Sequence, residues 1–271
     1  MEKIYKKVAA LYDSKRDDLN KYLAYDGIIH HHNGLLPGEF KGSLKAEQEK
    51  LRKVLHEAET RLSRLAIKKL SLRDGSRILD AGCGRGGNAV LMASGRKNVR
   101  VKAVNISDYQ LGEVRRVIRA KKLSGRVKVF KMSMEELSFK KGSFDRVLAC
   151  ESTEHADLSR FFASLSGVAK KKARLVIVAW TSNPSGKKGL AELSRVNRAY
   201  VTRMHPMKDY LEIPAAHGWV LREKIDLTAG TFFYWKLRKD SAVKSGTEDL
   251  MTGVFGKRLA TYMLYVYDFI E

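Results

Sequence analysis

Two hydrophobic rhythms divide the chain. From residue 76 onward, short apolar runs at 77–81, 99–104, 127–131, 145–150 and 173–179 read as buried strands. Between them, 87–94, 108–122 and 158–169 carry apolar residues at helical spacing. Repeated strand–helix units imply a parallel sheet with helices on both faces, a doubly wound α/β fold. Past Trp180 the pattern loosens. Residues 190–200 and 207–217 read as helices, 219–227 as a strand, and the Tyr-rich tail 258–270 as a last strand. The N-terminal part is different. Ile4, Val8, Leu11 and Leu19 give residues 1 to about 23 helical spacing, and a loop rich in Gly, His and aromatics follows. Residues 43–71 read as one long helix, with Ser43 as N-cap and Leu44, Leu51, Leu55, Leu62, Leu65 and Leu70 on its apolar face. The chain thus divides into an N-terminal helical region, 1–71, and a main domain, 72–271.

With 271 residues and 44% hydrophobic content the chain can bury a full core. No run of 18 apolar residues suggests a membrane span. The start, MEKIYKK, lacks the apolar stretch of a signal peptide. Cys83 and Cys150 are too few for a disulfide framework, and a reducing, cytoplasmic location is the expectation. The formal net charge is +22, which points to anionic partners: nucleic acid, or a phosphorylated small substrate, or simply a basic surface. The basic residues are spread along the chain. Their longest run, Lys170–Lys172, reads as a solvated loop.

Candidate chemistry starts at the first strand, Ile78-Leu79-Asp80-Ala81-Gly82-Cys83-Gly84-Arg85-Gly86-Gly87. Glycines let the backbone pass close to a ligand, and the next helix presents free N–H groups. Dinucleotide enzymes use a similar turn. Two details favour S-adenosylmethionine. Asp80 at the strand end suits an amino acid's ammonium group better than a pyrophosphate. The spacing is also G-x-G-x-G-G rather than G-x-G-x-x-G. The bland alternative is a tight turn with no ligand.

The segment Cys150-Glu151-Ser152-Thr153-Glu154-His155-Ala156-Asp157 follows the fourth strand. Ligands of open α/β sheets bind beyond the carboxyl ends of the strands. A carboxylate at the depth of Glu151 can accept a proton during chemistry, or it can cap a helix or join an ion pair. Glu154 is the weaker candidate, and His155 reads as structural or cofactor-side. The triplet His30-His31-His32 has no HxxxH or CxxC partner, so no metal ligands are assigned.

The first-strand segment resembles the hhDxGxGxG motif of class I methyltransferases, and FKKGSFD at 139–145 is similar to their LPFxxxSFD segment. Asn105-Ile106-Ser107-Asp108-Tyr109-Gln110 looks like the (T/N)-(L/I)-S-x-x-Q variant of cyclopropane fatty acid synthases and sterol C-methyltransferases. Asn105 and Gln110 can each read a ribose by hydrogen bonding, whereas Asp108 suits a helix N-cap or first turn. YDGIIHHHNG, CESTEHADL and DLT…YWKLR together resemble the geranyl diphosphate C-methyltransferases. Asn33-Gly34 departs from that family's Tyr-Gly.

The resemblance implies a Rossmann-like class I methyltransferase: a seven-stranded, mostly parallel sheet, an N-terminal helical and loop lid, and an acceptor-binding insertion at about 183–257. It implies C-methylation of an alkene carbon of a prenyl diphosphate through a carbocation, with Glu151 removing a proton and Tyr200, in VNRAYVTRMH, presenting an aromatic face. Trp180, Tyr22, Tyr25 and Tyr234 are further aromatic candidates. Asp80, Gly82, Gly84, Asn105, Ile106, Gln110, Ser133 and Met134 then hold S-adenosylmethionine, the last two at its adenine. Tyr25, His31, His32, Arg203, His205 and Tyr234 contact the isoprenoid-like anionic substrate, with Mg²⁺ bound through its diphosphate. A homo-oligomer is compatible with this reading. The competing acceptors are a sterol, a tocopherol-like phenol or a polyketide. Nucleic acid is disfavoured, because CESTEH stands where base methyltransferases carry (D/N)PP(Y/F), and no RNA-binding module is evident.

Overall fold

The structure is a computed structural model, describing residues 3–14, 18–184 and 186–270. In chain order the helices and strands are α1 (Lys3–Ser14), α2 (Leu19–Leu23), α3 (Gln48–Leu70), β1 (Arg77–Ala81), α4 (Gly87–Ser94), β2 (Arg100–Asn105), α5 (Asp108–Ala120), β3 (Val127–Lys131), β4 (Phe144–Cys150), α6 (Leu158–Val168), β5 (Ala169–Ser182), α7 (Gly186–Tyr200), α8 (Met207–Glu212), β6 (Trp219–Asp226), α9 (Thr228–Arg238), α10 (Glu248–Gly256) and β7 (Ala260–Phe269).

The seven strands form one sheet in the order β3-β2-β1-β4-β5-β7-β6. β7 runs antiparallel to both its neighbours, while β1 to β5 pair in parallel. This is the expected Rossmann-like α/β fold. Alternation along each strand feeds two cores. Ile78, Val101, Val176 and Val178 pack with α3, α4 and α5 on one face. Leu79, Val104, Leu175 and Ile177 pack with α6 on the other. Strand order reverses between β1 and β4, and the crevice at such a reversal is where open α/β sheets bind ligands.

Several boundaries differ from the sequence expectation. The long helix begins at Gln48 with Glu47 before it, so Ser43 is not its N-cap. Ser43 instead donates to Asp240 Oδ2 at 2.9 Å. The N-terminal helical stretch is two helices, with Asp18 capping α2 through Lys21 N at 3.2 Å. β5 is longer than its apolar run at both ends: it starts at Ala169, paired with Phe144, so the Lys170–Lys172 run expected as a loop lies in the strand, and pairing with β7 continues to Ser182. Helices α9 and α10 lie in a stretch where the sequence showed no clear period. Among the described residues no helix is long and apolar enough to cross a membrane.

Candidate active site

The turn after β1 carries the first half of the site. Gly82, Gly84 and Gly86 have φ of +78°, +50° and +87°, the region that favours glycine. A Cβ on Gly82 would fall 2.4 Å from Ser152 Cβ. The turn and α4 border a cavity of about 790 Å³, open at one side, whose walls include Asn105, Ile106, Gln110, Ser133 and Met134. Asp80 is buried, its Oδ2 has no hydrogen-bond partner, and burial alone raises its pKa to about 7. Asn88 Oδ1 on the cavity wall is likewise unpartnered. A buried carboxylate oxygen and a buried amide oxygen awaiting donors, behind a backbone stripped of side chains, fit the ammonium end of S-adenosylmethionine.

The amide of Asn105, on the wall of this cavity, is engaged on both sides within the protein. Its Nδ2 donates to Gln110 Oε1 at 2.8 Å, and its Oδ1 accepts from Ile106 N at 2.7 Å. Gln110 Nε2 meets His31 Nδ1 at 3.2 Å. Ser107, not Asp108, caps α5, accepting from Gln110 N at 3.1 Å. Asp108 sits in the first turn and pairs with Lys131 at 2.5 Å, away from the cavity.

A second cavity, of about 970 Å³, adjoins the first. Tyr12, His31, His32, Glu151 and His155 line both, so they form the shared wall. Beyond that wall the second cavity is bordered by Leu19, Asn33, Glu154, Trp180, Tyr200, Trp235 and Arg238. Tyr200 stands edge-on to Trp180, with ring centroids 5.0 Å apart, and its hydroxyl meets Thr247 Oγ1 at 2.5 Å.

Glu151 directly follows β4 and has φ +48°, strained for a residue with a Cβ. That conformation turns its side chain to the junction of the two cavities. Its Oε1 accepts from Asn33 N at 2.6 Å and from the Tyr262 hydroxyl at 2.5 Å. Burial outweighs these bonds and raises its pKa to about 7. Glu154 accepts from Trp180 N at 2.7 Å through Oε1, while its Oε2 has no partner. Burial and the neighbouring Glu151 raise its pKa to about 8.

The N-terminal segment closes over both cavities. Tyr5, Val8 and Tyr12 of α1 line the first cavity. The Tyr12 hydroxyl meets His155 Nε2 at 2.9 Å. Asp13 Oδ1 accepts from Ser107 Oγ at 2.5 Å and from Tyr109 N at 3.1 Å.

Four residues expected at the substrate do not line either cavity. Tyr25 is exposed and packs edge-on to His56. The Arg203 side chain is exposed, and only its backbone N–H reaches inward, to Glu154 O at 2.7 Å. His205 is buried against Ala156 O at 2.9 Å. The Tyr234 hydroxyl donates to buried Glu59 at 2.7 Å, and its ring fills the space a Cβ on Gly34 would occupy. Tyr22 packs under Arg52 rather than at the cavity. His32 does line both cavities, but its two ring nitrogens are taken by Asn33 O and Ser63 Oγ, and burial lowers its pKa to about 4. It is therefore a neutral wall rather than a cation for phosphate.

Sequence reasoning missed Asn88, Trp235 and Lys244 on the cavity walls, and four residues of more consequence. Arg238 ends the YWKLR stretch but received no role there; it is buried, stacks on Trp235 with Cζ 4.3 Å from the ring, and its Nε makes no hydrogen bond but lies 3.6 Å from buried Glu248 in an ion pair. Its helical offset of three from Trp235 was a usable signal. Asn33 supplies a backbone donor to Glu151 and carries an unpartnered, buried Nδ2. Tyr12 lies four residues after Val8 on the α1 stripe. Tyr262 had no signal beyond a Tyr-rich strand. Among the described residues no cluster of three His, Cys, Asp or Glu is arranged to hold a metal ion.

Comparison with known proteins agrees with this architecture. The family model described as mycolic acid cyclopropane synthetase matches residues 46–203. The chain is 27% identical over 266 residues to the geranyl diphosphate 2-C-methyltransferase of Saccharopolyspora erythraea, spanning 96% of this chain and 93% of that protein. A solved geranyl diphosphate methyltransferase in complex with GPP and sinefungin superposes with a TM-score of 0.91 at 25% identity, covering 98% of this chain and 99% of the other. The geranyl diphosphate C-methyltransferase from Streptomyces coelicolor A3(2), in complex with Mg²⁺, geranyl-S-thiolodiphosphate and S-adenosyl-L-homocysteine, gives 0.90 at 26% identity, covering 99% of each chain. The family match spans more than half of the chain and takes in the glycine turn, the Asn105–Gln110 segment and Glu151, so the chain belongs to the mycolic acid cyclopropane synthetase family.

Proposed function

We propose that this chain is an S-adenosylmethionine-dependent C-methyltransferase acting on an alkene carbon of a prenyl diphosphate, with Glu151 as the base. One observation carries the reading: a half-buried carboxyl, its pKa raised by desolvation to about 7, stands in the wall shared by the glycine-turn cavity and an aromatic cavity. The similar proteins named above act on geranyl diphosphate, which supports that acceptor class.

S-adenosylmethionine, when bound, supplies an electrophilic methyl group. The Gly82–Gly86 backbone, Asp80 and Asn88 would hold its amino-acid end. Asn105, Ile106, Gln110, Ser133 and Met134 would hold its nucleoside. Trp180, Tyr200, Tyr12 and Trp235 face the acceptor cavity, exclude water and offer ring faces to positive charge on the acceptor carbons. Glu151 takes the proton from the methylated carbon; the C–H electron pair becomes the new double bond. Arg238, Asn33 Nδ2 and Lys244 at the cavity would supply donors for the diphosphate, and Mg²⁺, when bound with it, would offset its charge. In this reading residues 1–71 act as a helical lid, and about 183–257 as the acceptor-binding insertion. Two unpaired thiols, Cys83 and Cys150, suit the cytoplasm.

The test is Glu151→Gln, which keeps the shape and the accepting Oε1. With S-adenosylmethionine, Mg²⁺ and a panel of C5, C10 and C15 diphosphates, the native enzyme should yield a product one CH₂ heavier. The variant should lose at least about a hundredfold in kcat, the scale of a lost general base, while still binding S-adenosylhomocysteine. Full activity in the variant removes the base assignment. No product from any diphosphate removes the acceptor class.

A further inference from the structure

Both geometric hydrogen bonds to the Glu151 side chain end on one oxygen, and the Trp180 indole N–H is a further donor beside the carboxyl. Asn33 N and the Tyr262 hydroxyl both donate to Oε1, at 2.6 and 2.5 Å, and neither bonds Oε2. The two donors come from distant parts of the fold. Asn33 lies in the N-terminal loop. Tyr262 lies on β7, in register with Trp180 of β5. Glu151 N in turn donates to Val178 O at 2.8 Å, fixing the turn out of β4.

Tyr262 is fully buried and does not line either cavity. Its hydroxyl has Glu151 as its hydrogen-bond partner, and burial beside carboxylates keeps the phenol protonated. It is therefore a fixed, neutral donor whose hydrogen bond is stronger when Glu151 is ionised. Two donors on one oxygen leave the carboxylate no freedom to exchange its oxygens by rotating. The oxygen without a bond is then the one free to meet an acceptor.

We propose that Tyr262 is a positioning residue: its hydroxyl, with the Asn33 backbone N–H, holds Glu151 by Oε1 so that Oε2 receives the proton. In that step a C–H bond of the methylated carbon breaks, an O–H bond forms on Oε2, and the C–H pair restores the C=C bond. Tyr262 keeps its own proton throughout. The inference rests on Glu151 being the base.

The experiment measures kcat and KM for geranyl diphosphate, with S-adenosylmethionine and Mg²⁺, from pH 5.5 to 9 in two variants. Tyr262→Phe removes the bond and should move the rising limb of kcat up by about one pH unit, the scale of one hydrogen bond to a charged group. At pH 7 kcat should fall about fivefold, the loss of ionised Glu151 when a pKa of about 7 rises by one unit, with KM within about twofold, since binding of the acceptor does not involve Tyr262. Replacement of Tyr262 by 3-fluorotyrosine gives a more acidic donor of the same shape and should move the limb down. A structural role alone moves stability and leaves the limb in place. If the Phe variant fails to bind S-adenosylhomocysteine, the fluorotyrosine variant decides. An unmoved limb there, with Glu151→Gln inactive, overturns the role of Tyr262 alone. An active Glu151→Gln overturns the base assignment and this inference with it.

Discussion

Arg85, buried in the cofactor turn, grips Asp18 at the edge of the acceptor cavity. The guanidinium in the glycine-rich turn donates to both carboxylate oxygens, at 2.9 and 2.8 Å. Asp18 also caps α2 and borders the acceptor cavity. One ion pair therefore ties the cofactor turn to the segment that covers it. The Arg85 side chain is 0% exposed and Asp18 is 21% exposed, so water weakens the pair from one side only.

Cutting that tie should loosen the lid before it unfolds the protein. Asp18→Ala leaves a buried guanidinium short of its partner, at a cost of about 1–3 kcal/mol for a pair open on one side. Trypsin should then release the first two dozen residues faster while 72–271 stays intact. S-adenosylhomocysteine should also dissociate faster. Native cleavage and dissociation rates in Asp18→Ala would show that the pair does not hold the lid.

The glycine turn makes a graded prediction. At Gly82 a methyl group would overlap Ser152 Cβ at 2.4 Å and Met134 Cε at 3.0 Å, at φ +78°. At Gly84 it would meet only His31 Cβ at 3.2 Å, at φ +50°. Gly82→Ala should cost roughly 2–4 kcal/mol of strain and overlap and lower S-adenosylhomocysteine affinity at least about tenfold. Gly84→Ala should do less on both counts. Calorimetry gives the affinities and thermal denaturation the stabilities; the reverse order would refute the close-approach account.

Buried carboxyls set how the ligand-free protein responds to pH. Burial raises Glu59 and Glu154 to about 8, and Asp80 and Glu151 to about 7. Each binds its proton more tightly folded than unfolded, so its contribution is full below about 4.5 and is lost as pH rises through 7 to 8. His30 and His32 act oppositely: burial lowers both, so their contribution is present above 6.5 and lost as pH falls below it. Above pH 6.5 the carboxyls act alone. Stability from urea denaturation should therefore drop by roughly 5 kcal/mol between pH 6.5 and 8.5. Glu59→Gln should shrink that drop. A protein equally stable at both values would contradict the burial assigned to these groups.

Strands, order of elements and the cofactor turn were legible because neighbours in sequence encode them. Apolar runs of strand length and a Gly-rich exit from β1 each act within a few residues. Asn105 and Gln110 are five apart and meet through one helical turn, so their pairing is local too. Glu151 was singled out for the same reason: it directly follows β4, and strand ends face the crevice. Tyr25, Arg203, His205 and Tyr234 failed because their neighbourhoods gave residue type but not direction. Tyr234 and Arg238 share α9, yet the first is turned to Glu59 and the second to the acceptor cavity.

The sequence by itself determined which groups could do the chemistry; the fold decided which of them meet. Tyr262 lies 111 positions from Glu151, Asn33 lies 118 away, and Asp18 lies 67 from Arg85. Periodicity reaches over one or two turns of chain, so no local pattern carries such pairs. They form because β7 inserts antiparallel beside β5 and the N-terminal loop docks over the switch point between β1 and β4. Burial, which the sequence states only as an average, then moves Glu151 to a pKa of about 7 and turns an ordinary carboxylate into a candidate base.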